Sequence, residues 1–205
     1  SARIIGRRFR LVHVRFPGDH VIETSTFRGD PARIAAEAEA NGESLEDLQE
    51  RHGAENFFGT APEDARRRDF SINALFYDPV QDEVIDWVGG LADLEGRVVR
   101  SIGDPDVRLA EDPVRMIRAV HFAERLGFEV EPTLLQSIER NAARLGEASQ
   151  ARLYVELQKI VSRGRARNTL HRLWELRVLE AWIPELSAFL DRPMAWPEQA
   201  GGTHD

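Results

Sequence analysis

The chain has 205 residues, a formal net charge of −8, 42% hydrophobic residues and no cysteine. That length allows one large domain or two small ones with a proper core. The missing cysteines exclude disulfides, thiolate metal sites and a cysteine nucleophile, the acidic balance excludes a polybasic nucleic-acid binder, and no run approaches the roughly 20 apolar residues of a membrane span.

In chain order, Ser1–Arg8 lacks the apolar core of a signal peptide, and a soluble cytoplasmic protein is the expectation. The β-branched and aromatic run Phe9–Phe16 predicts a strand. Pro17-Gly18-Asp19 is turn chemistry, and Val21–Phe27 predicts a second strand, closing a hairpin. Residues 29–60 are rich in acids (Asp30, Glu37, Glu39, Glu43, Glu46, Asp47, Glu50, Glu55) and poor in large apolar side chains, which predicts a mobile acidic loop. Pro62-Glu63-Asp64 opens a helix with acids at its positive end; the pattern carries that helix on through Ala65, Ile72, Leu75 and Phe76. Val84–Trp87 and Val98–Ile102 read as short strands, with Gly89-Gly90 turning the chain between them.

From Pro105 the periodicity is helical. Val114, Ile117, Val120, Phe122, Ala123 and Leu126 make an apolar stripe that Gly127 ends. Pro132 opens a helix with Leu134, Leu135, Ile138 and Leu145. Tyr154, Leu157, Ile160 and Val161 mark another, and Leu170, Leu173, Trp174 and Val178 a fourth. Residues 197–205 read as a disordered tail. The expected class is α+β, with a boundary near residues 103–106.

Three places can carry chemistry. Glu23 sits mid-strand, where carboxylates are depleted; it is either an outward-facing charge or one ligand of a divalent metal. Arg66-Arg67-Arg68-Asp69 spans little more than a helical turn, with Asn73 on the face of Asp69. That run is either a solvated face or a grip on triphosphate oxygens, with Asn73 on a ribose hydroxyl. Asp112 and Arg115, at i,i+3, are either a surface ion pair or a base reader. A carboxylate accepts the exocyclic amine of adenine or cytosine while an arginine donates to the adjacent ring nitrogen; guanine and uracil put a carbonyl there instead.

Four segments in this order, Ile5–Val14, Val21–Arg28, Arg66–Leu75 and Ile102–Ala119, resemble the bacterial poly(A) polymerase and CCA-adding nucleotidyltransferase family. Arg67-Arg68-Asp69-Phe70-Ser71-Ile72-Asn73-Ala74-Leu75 and Glu111-Asp112-Pro113-Val114-Arg115-Met116-Ile117-Arg118-Ala119 are the specific runs. Gly6-Arg7-Arg8-Phe9, His13 and Pro113 look more like the poly(A) polymerase branch. The resemblance implies part of a nucleotidyltransferase palm, a mixed sheet with helices, over residues 1–104, and an all-helical neck and body over 105–196.

The same resemblance implies transfer of AMP from ATP to RNA 3′ ends, with Mg2+ or Mn2+ in the complete enzyme. Glu23, also a metal ligand, and Asp69 would then be catalytic. Arg67, Arg68, Asn73, Asp112, Arg115 and Arg118 would handle the nucleotide, and Arg7, Arg8, Arg163 and Arg165 would bind RNA. CCA addition to tRNA and a non-catalytic RNA-binding remnant are the alternatives. Relatives open their active site with a glycine pair followed by an Asp-x-Asp, whose carboxylates are the main metal ligands. No such run precedes Arg3, so the chain is expected to begin after those ligands and to be inactive alone. Many relatives carry an arginine where His121 stands.

Overall fold

The computed structural model describes residues 1–5, 11–29, 36, 38–40, 42 and 58–192. Arg7, Arg8, most of the expected acidic loop and the expected disordered tail lie outside the described residues. The chain divides into two compact units: Ser1–Arg68 with Asn73–Gly90, and Asp69–Ile72 with Leu91–Asp205.

In the first unit, β1 (Ala2–Ile5), β2 (Leu11–Arg15) and β3 (Val21–Thr24) form an antiparallel sheet in that order. The expected hairpin is β2–β3. Its turn places Gly18 at φ 81° and Asp19 at φ 59°, and its register sets His13 opposite Glu23. Helix α1 (Ala61–Arg67) starts where Pro62-Glu63 predicts. The Glu63 carboxylate accepts from the Thr60 amide at 2.7 Å, satisfying a donor the helix leaves free. The 58–60 segment pairs Phe58 with Arg28. Gly59 runs so close to Gly29 that a Cβ there would lie 2.4 Å from the Gly29 Cα; only glycine fits.

Helix α1 is shorter than the sequence pattern predicts. It stops at Arg67, and Arg68 is already extended at ψ 164°. Ser71–Asn73 is a single 3-10 turn, and Phe76–Asp78 is a strand, β4, paired with β5 (Glu83–Ile85). Ile72, Leu75 and Phe76 therefore do not extend the apolar side of α1. Phe27, Phe76 and Trp87 make an edge-to-face chain with centroids 5.6 and 5.2 Å apart, an apolar centre for this small unit. Beyond β5, one oxygen of Asp86 accepts from the amides of Val88, Gly89 and Gly90 at 2.9–3.0 Å. That arrangement starts α2 (Gly90–Glu95) where the glycine pair suggests only a turn.

The second unit is mainly helical: α3 (Pro105–Glu111), α4 (Val114–Leu126), α5 (Pro132–Asn141), α6 (Gln150–Ser162), α7 (Ala166–Glu175), α8 (Val178–Trp182) and α9 (Pro184–Leu190). Val98–Val99 (β6) pairs in parallel with Glu129–Val130 (β7), a strand the helical periodicity does not predict. The α4 stripe is the centre of the core, with Val114, Met116, Ile117, Ala119, Val120 and Ala123 buried. Gly127 ends α4 at φ 68°, in the left-handed region.

Residues 69–72 join this unit as a short insertion. Phe70 bridges Ser101, the Ser71 amide donates to Arg100 O at 3.0 Å, and the Ile102 amide donates to Asp69 O at 3.2 Å. Phe70, 1% exposed, packs edge to face on Phe122 at 5.8 Å. Burying that ring contributes about 2–3 kcal/mol, and the Asp69 carboxylate accepts from the Phe70 amide at 2.9 Å. These two preferences break the helix that the arginine run suggests.

Candidate functional site

The functional side chains fall into two sets, one in each unit. In the first unit, β3 presents Glu23 and runs into Ser25 and Thr26, and α1 ends on Arg67 and Arg68. Ser25, Thr26, Arg28, Asp64, Arg67 and Arg68 line an open pocket of about 300 Å³. Its wall has three guanidiniums, two hydroxyls and one carboxylate, and Asp64 is engaged by the Arg28 amide at 3.2 Å and the Arg68 guanidinium at 3.0 Å. Arg68 also donates to Asn73 O at 3.1 Å and stacks over Phe76 at 5.2 Å. It therefore fixes the 3-10 turn as well as the pocket rim. A concave, arginine-rich, hydroxyl-bearing surface suits a polyanion.

Glu23 is 63% exposed, and its carboxylate lies 2.8 Å from Nε2 of His13, without the alignment of a hydrogen bond. Among the described residues no three histidine, aspartate or glutamate side chains gather as a metal-binding group. One exposed carboxylate beside an imidazole does not by itself make a magnesium site, which needs several oxygen ligands.

In the second unit the loop between α3 and α4 carries the second set. Asp112 and Arg115 do not share a helix: α3 ends at Glu111, Asp112 is extended at φ −151°, and Pro113 caps α4, which begins at Val114. Proline disfavours helical backbone in the residue before it. The Asp112 carboxylate accepts from the Val114 amide at 3.2 Å and from Arg152 at 2.5 Å. Arg115, half-buried, donates to Arg108 O at 2.6 Å and to Glu111 at 2.9 Å. Burial, and then the like charge of Arg115, lower the Arg108 guanidinium from its ordinary value.

Asp69 and Asn73 do not share a helix face, because no helix spans them. Asp69 instead receives Nε and Nη2 of Arg118 on one oxygen, at 2.7 and 2.5 Å. Arg118 also reaches Glu156 at 3.6 Å and stacks over Phe122. Arg163 and Arg165 are exposed in the turn between α6 and α7. Sequence reasoning missed Arg152 and Glu156, which lie 40 and 38 residues from the side chains they hold. It also missed a polar pocket of about 360 Å³ lined by Glu124, Arg167, Asn168, His171, Arg172 and Glu175.

Comparison with known proteins fits this architecture. Residues 1–100 match the family described as the poly(A) polymerase head domain, and residues 127–190 match the probable RNA and SrmB-binding site of polymerase A. The chain belongs to the poly(A) polymerase and CCA-adding nucleotidyltransferase family. It is 39% identical over 203 residues to poly(A) polymerase I of Escherichia coli O157:H7, which covers 95% of this chain and 42% of that protein. Against the CCA-adding enzyme of Pediococcus pentosaceus it is 45% identical over 105 residues, 51% of this chain and 26% of the relative. The Bacillus stearothermophilus CCA-adding enzyme in complex with CTP superposes with a TM-score of 0.68 at 29% identity, over 87% of this chain and 39% of that one. The chain thus spans under half the length of the family members it matches. Among the described residues no helix is long and apolar enough to cross a membrane.

Proposed function

We propose that this chain carries the nucleotide-choosing and nucleotide-holding parts of a cytoplasmic, template-independent RNA nucleotidyltransferase. The reaction transfers AMP from ATP to an RNA 3′ hydroxyl, with pyrophosphate leaving. The observation that carries this reading is the pocket of Ser25, Thr26, Arg28, Arg67 and Arg68, whose chemistry fits a triphosphate. Asp112 and Arg115 take the part of base reader, and Asn73 that of ribose partner. Asp69 and Arg118 support the nucleotide through each other, and Glu23 serves as a catalytic carboxylate. Arg163 and Arg165 contact RNA. Residues 1–104 correspond to the downstream part of a head domain, and 105–196 to a neck and body. A divalent metal rests on the family likeness alone.

Two observations favour the poly(A) branch: the 95% coverage by poly(A) polymerase I, against 51% by the CCA-adding relative, and Pro113 at the start of α4. The CCA reading remains open to test because a carboxylate–guanidinium pair suits adenine and cytosine equally. The test supplies the protein at its full natural length with ATP alone and a generic RNA. Long A tails are the expected result. Repair of tRNA lacking its CCA end, without tails on generic RNA, would move the protein to the CCA branch. Salt-sensitive RNA binding with no incorporation would make it a binding remnant. The isolated 205-residue chain is expected to bind ATP weakly and to add nothing.

A further inference from the structure

Arg152 and Glu156 are one helical turn apart on α6 and share a face. Each holds a residue of the second unit's nucleotide set by the opposite charge. Arg152 donates to Oδ2 of Asp112 at 2.5 Å. Glu156 lies 3.6 Å from Nη1 of Arg118. Glu156 is 5% exposed and is itself held by Lys159 at 2.7 Å. Its burial and its two cations fix it in place, since an unpaired carboxylate at that depth is costly. Arg118 passes the restraint on to Asp69.

Asp112 needs such a restraint. It stands in extended backbone between two helices. Its other oxygen takes the Val114 amide at 3.2 Å. With Arg152 on the second oxygen, the carboxylate plane is set. Each carboxylate oxygen retains a further acceptor direction for an exocyclic amine.

The geometry points to Arg152 and Glu156 as positioning residues for base selection, through which α6 orients Asp112, the base reader, directly and holds Arg118 beside it. This rests on the reading of Asp112 as a base reader. Arg152 touches the carboxylate and not the nucleotide; it narrows the angles from which an amine can approach. Removing it frees Asp112 to rotate and weakens the distinction between an amine and a carbonyl. Removing Glu156 loosens Arg118 and Asp69 together and leaves Lys159 without its partner.

The experiment measures equilibrium binding of ATP and of GTP to the 205-residue chain and to Arg152→Ala, Arg152→Lys, Glu156→Gln and Asp112→Ala, with thermal melting of each to confirm folding. Arg152→Ala is expected to shrink the ATP-over-GTP preference about tenfold. Arg152→Lys is expected to restore part of it, because a lysine supplies the charge without the planar fork. Glu156→Gln is expected to shrink it less, and Asp112→Ala to abolish it. Equal loss of ATP and GTP binding in Arg152→Ala would reduce Arg152 to a structural role and overturn the inference. An unchanged preference in Arg152→Ala, with the preference lost in Asp112→Ala, would also overturn it while leaving the base-reading assignment standing. Tighter ATP binding in Arg152→Ala would make Arg152 a competitor of the base and would overturn the inference. An unchanged preference in Asp112→Ala, or no preference in the parent chain, would remove the base-reading assignment itself.

Discussion

His121 is 4% exposed on α4, and among the described residues neither of its ring nitrogens has a hydrogen-bond partner. Burial first, and the charge of Arg125 next, lower its affinity for a proton. Arg163 and Lys159 act in the same direction, and Glu156 opposes them. The ring is therefore a neutral filler beside Phe122. The sign of the pH effect follows. In the unfolded chain the imidazole takes up its proton near pH 6.5, while the folded chain delays uptake to lower pH. Stability is unaffected above that value and falls as pH drops through the window below it. Melting temperature is expected to decline from pH 7 to pH 5, with a shallower decline in His121→Leu. Parallel declines in the two proteins would rule out His121 as the source. Carboxylates show how little of a residue's task is legible from type alone. Glu156 and Glu23 each lie in a run of apolar neighbours, yet the first is buried between two cations and the second is mostly exposed. For Glu156 the local partner Lys159 is visible at i,i+3, whereas the long-range partner Arg118 leaves no local signature.

Helix ends separate what the sequence shows from what it hides. Gly127 stops α4 as its position in the pattern predicts, because the left-handed turn at φ 68° suits a residue without Cβ. Nothing lies within 4 Å of the place a Cβ would take. Gly127→Ala therefore tests backbone strain without a clash, and a loss of about 1 kcal/mol is expected in denaturant titration. The hairpin of β2 and β3 was legible for a similar reason: its turn residues are local instructions. The end of α1 was not legible. Its arginine run continues the helical pattern, and the burial of Phe70 against Phe122, some 50 residues away, together with the Asp69 side chain on the Phe70 amide, stops it. The break before Pro113 carried a signal in the proline itself, but the i,i+3 spacing of Asp112 and Arg115 masked it. On α6 the periodicity gave the helix and partly mistook its face. Tyr154 and Val161 are 60% and 65% exposed, whereas Leu153 and Glu156 are buried.

At the scale of the whole molecule, the family and the α+β class were legible because the diagnostic runs are long and ordered. The division into units was less so, because Asp69–Ile72 sits in the second unit between stretches of the first. Its contribution is measurable. Phe70→Ala leaves a hole among the buried residues of α4 and is expected to cost about 3–4 kcal/mol in chemical unfolding. A cost below 1 kcal/mol would mean that the insertion is not integral to this core. The same four residues bring Asp69 to Arg118 and seat Ser71, fully buried, against Asp93, so one short segment supplies both packing and the charge that orders α4.

The insertion also decides how the polypeptide can be taken apart. The chain passes between units after Arg68, after Ile72 and after Gly90. A protease that nicks only the last of these junctions liberates a C-terminal piece with an empty slot where Phe70 belonged and an arginine, Arg118, deprived of Asp69. The N-terminal piece keeps residues 69–72, whose bridge partner Ser101 is left on the other piece. No single scission yields two intact halves, and recombining separately expressed halves cut there would require the 69–72 segment to thread back into place.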